Sequence, residues 1–382
     1  MERTLHLWLA LASLVLSGAL QAEPYKANFD PGYRPELSSD EGGFWYQVDK
    51  IEESVKVSPD LVTDPALNQY VKDLTCKLAG DYCPHIRVYI LRSPHFNAGM
   101  YPNGMMHVWS GLLLRVDSEA ELAAVLSHEI AHFLRSHQIT QWRSLRSKAS
   151  AAIFADMILT MGLASLSVAS GAMAFSREQE TEADLYGLQL MTHSGYAPEK
   201  ASALWEYVYQ ESEQDKSKEK HSTFFASHPK SKDRMTLLSK KATEINASGK
   251  TFKTNSAEYL KVVSPLYIEF MNSHLSLQDL GRTEAMLERH TRMGYPKGTV
   301  EFFKGELCKL RKGTNDETQA MQHYRNSVTE AQHPPEAHRE LGYLLVKTDP
   351  KAAKQHLENY LALAPAASDK EMVQFYIDSA NQ

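Results

Sequence analysis

The chain has 382 residues, of which 43% are hydrophobic and 23% are charged. These proportions are ordinary for a globular protein and exclude disorder, collagen and coiled coil as descriptions of the whole chain. A formal net charge of −6 and only three cysteines argue against a nucleic-acid-binding protein and against a disulfide scaffold. The length favours two domains.

The N-terminus has the pattern of a secretory signal peptide. Arg3 gives a positive start, Leu5–Leu20 is largely apolar, and small residues lead to a cleavage position after Ala22. Cleavage after Ala19 is an alternative, and so is an uncleaved membrane anchor. The apolar run is shorter than the roughly 20 residues that a membrane span requires, which favours cleavage.

An exported protein meets oxidising conditions, under which cysteines form stable disulfides. Cys76 and Cys83 flank a plausible helix end and turn, and we predict a disulfide between them. Cys308 then remains a free thiol. Three unrelated thiols are the alternative.

The next elements are indicated by periodicity and by turn residues. Asp64 and Pro65 predict the start of an amphipathic helix, and the alternation over Ile86–Leu91 predicts a strand. Pro102-Asn103-Gly104 predicts a turn before an extended segment, Met105–Ser110. This segment is either an exposed edge strand that pairs with an extended substrate backbone or part of an interior hairpin.

The clearest predicted helix is Ser118–His137, with a capping box formed by Ser118 and Glu121. It contains the sequence His128-Glu129-Ile130-Ala131-His132. Residues four apart leave the same helix face, so both imidazoles can bind one Zn²⁺ ion, and Glu129 can reach a metal-bound water without being a ligand. A structural helix with two unrelated histidines is the alternative.

A catalytic zinc site needs a third protein ligand. His137 does not complete a metzincin motif, because no glycine stands at the third position after His132, and we interpret it as a helix-end residue. A second predicted helix, Ser176–His193, carries Glu180 and Asp184 four residues apart on one face. One carboxylate can bind the metal while the other orients a ligand imidazole, although an acidic helix face is often only solvated.

These motifs resemble the zinc peptidase family that includes HtpX, the CAAX prenyl proteases and the periplasmic protease BepA. The resemblance runs from about Asn97 to Arg234 and is closest to the BepA-like proteases with C-terminal tetratricopeptide-like repeats. It implies zinc ligands at His128, His132 and Glu180, with one Zn²⁺ per subunit, a general base at Glu129 and a ligand-orienting partner at Asp184.

The same resemblance extends to His228 and Arg234, which lie in a His-Pro-x-x-x-x-Arg stretch. One of them can stabilise the transition state, or His228 can cap the zinc in a resting state. A loop histidine before a proline and a surface arginine are the alternative.

Between the two ligand helices lies an apolar stretch, Ala149–Phe175, with Asp156 as its one charge. A single complete membrane crossing would separate His132 from Glu180, which the shared metal forbids. We therefore predict a buried or site-covering hairpin, with peripheral membrane contact as the alternative. Gln210–Lys220 is polar and predicts an exposed loop.

After about Lys250 the sequence predicts helical hairpins. The two units around Gly305 and Gly342 have small and large side chains at matching positions, in a pattern that resembles the tetratricopeptide repeat. Helical hairpins without a true repeat are the alternative. We predict a signal peptide over 1–22, a zinc metallopeptidase domain over 23–250 and a tetratricopeptide-like domain over 251–382.

The predicted fold class is α+β, mainly α: a zincin-like metallopeptidase domain with a small β-sheet, followed by an all-α repeat domain. The resemblance implies a periplasmic zinc metalloendopeptidase of a Gram-negative bacterium, possible outer-membrane association, and misfolded or stalled envelope proteins as substrates. It also implies docking to the envelope protein assembly machinery through the repeats. The acidic composition predicts no nucleic-acid partner. The alternatives are a chaperone or adaptor with a latent protease site, and an enzyme kept closed until a partner docks.

Overall fold

The structure is a computed structural model that describes residues 25–148, 174–213, 224, 227–229 and 232–379. The predicted signal peptide, the apolar stretch up to residue 173 and residues 214–220 of the predicted polar loop lie outside the described residues. Residues 210–213 are helical, so this part of the loop prediction is wrong. Within the described ranges, no helix combines the length and apolar character that a membrane span would need.

Helices and a small sheet make up the first part of the described chain. In order they are α1 (Asp40–Lys56), α2 (Pro65–Ala79), β1 (Arg87–Leu91), β2 (Ala98–Met100), β3 (Met105–Trp109), α3 (Ser110–Arg115), α4 (Glu119–Leu134), α5 (His137–Lys148), α6 (Arg177–His193), α7 (Glu199–Glu213) and α8 (Lys232–Asn246).

The sheet has the strand order β1-β3-β2, with β1 parallel and β2 antiparallel to β3. All residues of β3 are buried, so the prediction of an exposed edge strand at Met105–Ser110 is wrong and the interior alternative is confirmed. The hairpin of β2 and β3 alone would leave one edge of β3 unpaired. β1, which precedes the hairpin in the chain, pairs with that edge. Among the described strands, β2 lies at the edge next to α4.

Helix α4 is buried along its whole length. Ser118 caps it by accepting a hydrogen bond from the backbone N–H of Glu121 at 3.3 Å. The second hydrogen bond of the predicted capping box, from the backbone N–H of Ser118 to the Glu121 carboxylate, is absent from the described contacts. The Glu121 carboxylate accepts instead from the N–H of Asp117 at 2.8 Å. The helix also ends earlier than predicted, at Leu134. Ser136 has a φ of 53°, which turns the chain so that His137 begins α5.

Helix α6 packs closely against α4 at Gly187. A Cβ atom at this position would lie 2.9 Å from the backbone nitrogen of His128. The missing side chain therefore lets the two helix backbones approach each other. The start of α6 is fixed by a capping box between Ser176 and Gln179, close to the predicted helix start.

The remaining described chain is helical. Its helices are α9 (Ser256–Val263), α10 (Tyr267–Leu275), α11 (Leu280–Met293), α12 (Lys297–Arg311), α13 (Asp316–Val328), α14 (Glu336–Leu345), α15 (Pro350–Leu363) and α16 (Lys370–Ser379). Small residues allow close pairing: a Cβ at Gly305 would lie 2.4 Å from the ring of Tyr324 in the α12–α13 pair. The α+β, mainly α fold class is confirmed, while the domain limits and the tetratricopeptide assignment stay predictions.

The C-terminal helices pack directly against the part of the chain that carries the metal-binding motif. Nε2 of His290 on α11 lies 2.7 Å from the carbonyl oxygen of Leu114, and Arg289 contacts Glu121 on α4 at 2.6 Å. The hydroxyl of Tyr259 on α9 donates to the carbonyl of Leu113. The largest hydrophobic core continues across this junction, so α9 and α11 pack against α3 and the N-terminal end of α4.

The predicted disulfide between Cys76 and Cys83 is present. It joins the last turn of α2 to the short 3₁₀ helix Gly80–His85 that leads into β1. Cys308 is a free, buried thiol on α12, also as predicted.

Candidate active site

Two helices bring the predicted ligands together. On α4, the Nε2 atoms of His128 and His132 lie 3.1 Å apart. Glu180 on α6 reaches the same point, with Oε1 at 3.3 Å from Nε2 of His132 and Oε2 at 3.8 Å from Nε2 of His128. The three side chains are almost completely inaccessible to solvent.

His228 joins these three side chains. It lies just before α8, and its Nδ1 atom is 2.9 Å from Oε1 of Glu180 and 3.3 Å from Nε2 of His128. One ligand atom from each of the four residues lies within 4.8 Å of the others. The structure therefore places His228 in the cluster rather than in a solvent-exposed loop.

Glu129 faces the same cluster from α4. Its Oε1 atom is 3.4 Å from Nε2 of His228 and makes no hydrogen bond within the described residues. Burial raises the pKa of the Glu129 carboxyl, an effect that the nearby His228 and His128 oppose. A buried carboxyl with a raised pKa is well suited to accept and return a proton near neutral pH.

Asp184 lies behind His128, with Oδ1 at 3.0 Å from Nδ1 of the imidazole. Arg234 donates two hydrogen bonds to the Asp184 carboxylate, at 2.6 and 2.9 Å, and also contacts Oε2 of Glu180. Burial alone would raise the pKa of Asp184, but the hydrogen bonds from Arg234 and the close contact with His128 hold it below its ordinary value. Asp184 is thus an ionised partner for the His128 imidazole at neutral pH.

Electrostatics favour the metal-binding protonation state at His132 and Glu180, whereas at His228 burial would lower the pKa but the carboxylates of Glu180 and Glu129 raise it. Burial keeps the pKa of His132 well below its ordinary value, which favours the neutral imidazole. Burial would raise the pKa of Glu180, but nearby His228 and His132 hold it well below normal. Neutral imidazoles and an ionised carboxylate are the forms that coordinate metal ions.

Sequence reasoning missed two neighbours of His132. Nδ1 of His137 lies 2.9 Å from Nδ1 of His132, so His137 belongs to the site and is not only a helix-end residue. Phe175 stacks on the His132 ring with centroids 4.0 Å apart. The position of His137, five residues after His132, was visible in the sequence, but the turn at Ser136 that directs it inward was not.

The donor set fits a zinc ion. Zinc is bound by histidine nitrogen and carboxylate oxygen, most often with four ligands, and His₂Glu is a known catalytic set. His128, His132 and Glu180 supply that set here, and their Nε2 and carboxylate atoms converge at one buried point.

Comparison with known proteins points to the same chemistry. The sequence model of peptidase family M48 matches residues 62–242, which include the two ligand helices, His228 and Arg234. Over 192 residues the chain is 28% identical to a protein of Vibrio cholerae named putative beta-barrel assembly-enhancing protease, a stretch that covers 46% of this chain and 39% of that protein. It is 26% identical over 207 residues to the beta-barrel assembly-enhancing protease of Yersinia pestis, covering 50% and 42%.

A eukaryotic relative matches the same region. The chain is 34% identical over 152 residues to the mitochondrial metalloendopeptidase OMA1 of Schizosaccharomyces pombe, covering 39% of this chain and 44% of the relative. The chain thus spans less than half of the length of each of these curated relatives. The sequence model of peptidase family M48 thus matches the part of the chain that carries the four-residue cluster of possible metal ligands.

Proposed function

We propose that this protein is a zinc metalloendopeptidase. The observation that carries the proposal is the buried convergence of His128, His132 and Glu180, with Glu129 beside them. In this arrangement His128, His132 and Glu180 would hold the Zn²⁺ ion. Bound zinc supplies Lewis-acid chemistry, which acidifies a coordinated water and polarises a carbonyl group.

The chain's own residues supply the proton transfers and the orientation. The Glu129 carboxylate would take a proton from the attacking water and return it to the nitrogen of the leaving amine. Asp184 would hold the His128 ring through Nδ1, and Arg234 would hold Asp184. Arg234 also contacts Glu180, so one guanidinium would fix two of the groups around the metal.

His228 would act as a resting-state cap. With His228, the cluster offers four donors, which is the number that closes a tetrahedral zinc site. A catalytic site keeps a position open for water, so His228 would have to leave before hydrolysis. A role for His228 or Arg234 in stabilising the transition state is the competing assignment.

The relatives' names support a more specific role. The Vibrio cholerae and Yersinia pestis relatives are named for enhancing beta-barrel assembly. We propose that the protein is exported through a signal peptide at residues 1–22 and acts in the periplasm on misfolded or stalled envelope proteins. In this proposal residues 23–250 form the peptidase domain, and residues 251–382 form a tetratricopeptide-like domain that docks to the envelope protein assembly machinery.

Metal analysis combined with Glu129→Gln tests the proposed activity. The variant keeps the three zinc ligands, so we expect one zinc per chain in both proteins and loss of peptide hydrolysis in the variant. Glu178→Gln, an exposed position on α6, is the matched control and should retain full activity. A Glu129→Gln protein with wild-type hydrolysis would contradict the proposal. Proteins trapped by this variant in envelope extracts would identify the substrate class.

The presence of His228 in the cluster favours a second candidate, a binding protein or chaperone with a latent protease site. In that case the C-terminal helices carry the function. Complementation separates the two candidates: Glu129→Gln should fail to support growth under envelope stress if hydrolysis matters. It should succeed if binding alone is sufficient.

A further inference from the structure

His132 is linked through His137 to a carboxylate on the opposite side from the cluster. Its Nδ1 atom lies 2.9 Å from Nδ1 of His137, and Nε2 of His137 lies 3.0 Å from Oε2 of Glu182. Oε1 of Glu182 contacts Arg135 at 2.8 Å. His132 and His137 are both buried, while Glu182 lies nearer the surface.

This chain of contacts specifies which nitrogen of each imidazole carries hydrogen. A carboxylate only accepts hydrogen bonds, so Nε2 of a neutral His137 carries the hydrogen and its Nδ1 is an acceptor. The hydrogen between the two Nδ1 atoms must then belong to His132. As a result, Nε2 of His132 keeps its lone pair, and this is the atom that faces His128 and Glu180.

The arrangement parallels the one behind His128. There the imidazole Nδ1 faces Asp184, which Arg234 holds in place. Behind His132 the corresponding acidic residue is Glu182, which Arg135 contacts, and His137 spans the larger gap. One helix thus supplies a metal ligand, Glu180, and an acidic residue for each histidine ligand. Glu182 serves His132, and Asp184 serves His128.

We propose that His137 and Glu182 are positioning residues that fix the tautomer and ring orientation of His132 for metal binding. The inference rests on the proposed function, since it requires a zinc ion at the cluster. Partners of this kind around metal ligands typically change metal affinity or activity by about 10- to 100-fold when removed.

A phenyl ring in place of the His137 imidazole keeps its packing but lacks its nitrogens. This substitution therefore separates the effect of His137 on the orientation of His132 from its effect on packing. His137→Phe fills the same space but cannot accept from Nδ1 of His132, whereas His137→Asn offers an amide oxygen near the position of Nδ1. The measurement is the zinc dissociation constant by chelator competition, together with the visible spectrum of the cobalt-substituted protein. His193→Phe, an exposed histidine at the end of α6, is the matched control.

We expect His137→Phe to weaken zinc binding about 10- to 100-fold and to shift the cobalt bands. His137→Asn should bind more tightly than His137→Phe, and His193→Phe should match the wild type. Zinc binding by His137→Phe within twofold of the wild type would overturn the inference, as would equal weakening in His137→Phe and His137→Asn. A wild-type protein that binds no zinc would instead overturn the proposed function.

A second pair of variants covers the case in which His137→Phe does not fold. Glu182→Gln and Glu182→Met both remove the ion pair with Arg135, but only glutamine can accept the hydrogen from Nε2 of His137. We expect Glu182→Met to bind zinc at least threefold more weakly than Glu182→Gln. Equal affinities in this pair would overturn the inference.

Discussion

Oδ1 of Asp184 lies 3.0 Å from Nδ1 of His128, on the side of the imidazole away from the metal-binding atoms. Asp184 comes from α6 and His128 from α4, so this contact ties the two ligand helices together at the site. The same carboxylate accepts two hydrogen bonds from Arg234 on α8. Asp184 therefore links three helices around His128.

Asp184→Asn removes the charge of this carboxylate while keeping its shape. We expect the zinc dissociation constant to rise about 10- to 100-fold, because His128 loses its anionic partner and Arg234 loses its counter-charge. Chelator competition measures the change. Asp233→Asn, an exposed aspartate at the start of α8, is the control and should bind zinc like the wild type. Unchanged affinity in Asp184→Asn would show that the contact does not support the metal.

His228→Ala should increase hydrolysis of an unfolded substrate such as casein. The alanine removes the fourth donor, so the site gains the open position that a catalytic zinc requires. The measurement is kcat/KM at full zinc occupancy, with His193→Ala as the control. A large loss of kcat in His228→Ala at wild-type zinc content would instead assign His228 to transition-state stabilisation.

Much of the fold could be predicted because local patterns specified it. The helix-start residues Asp64 and Ser176 cap helices as predicted, and the spacing of the two cysteines led to the correct disulfide. The predicted site residues come together because both ligand motifs lie on helices, where spacing in sequence determines the shared face.

The errors involve features that depend on tertiary structure. β3 lies in the middle of the sheet because β1 pairs with the edge of β3 that faces away from β2. No local sequence pattern indicates that pairing. The end of α4 depends on the left-handed conformation of Ser136, a residue without a strong preference for it. The contact between His137 and His132 is a consequence of that turn and was missed for the same reason.

Gly187→Ala should weaken both the fold and the metal site. The added Cβ would lie 2.9 Å from the backbone nitrogen of His128, so α6 must move away from α4. Overpacking of this kind costs about 1–3 kcal/mol in the free energy of unfolding, and the shift also separates Glu180 from the two histidines. Urea unfolding of the metal-free protein and chelator competition measure the two effects.

The control for this substitution is Gly43→Ala on α1. A Cβ at Gly43 would meet nothing within 4 Å, so the change should be neutral or stabilising by up to about 1 kcal/mol because alanine favours helix. Wild-type stability and zinc affinity in Gly187→Ala would show that the close approach of the two helices is not required.

Glu211→Gln should be strongly destabilising although it lies outside the metal-binding cluster. Arg115 on α3 donates to both carboxylate oxygens of Glu211 on α7, at 2.8 and 2.7 Å, and the two side chains are only 3% and 4% exposed. Removing one charge leaves the other buried without its counter-ion, which costs about 3–5 kcal/mol in the free energy of unfolding. Urea unfolding of the metal-free protein measures this loss.

The double variant Arg115→Met with Glu211→Leu distinguishes an uncompensated charge from a loss of packing. It removes both charges and keeps apolar volume, so it should be more stable than Glu211→Gln. Because Arg115 also donates to the carbonyl of Gly111 at 2.8 Å, we do not expect full recovery to the wild-type value. If the double variant is less stable than Glu211→Gln, the pair stabilises α3 against α7 through its own hydrogen bonds, and the buried charge is not the dominant cost.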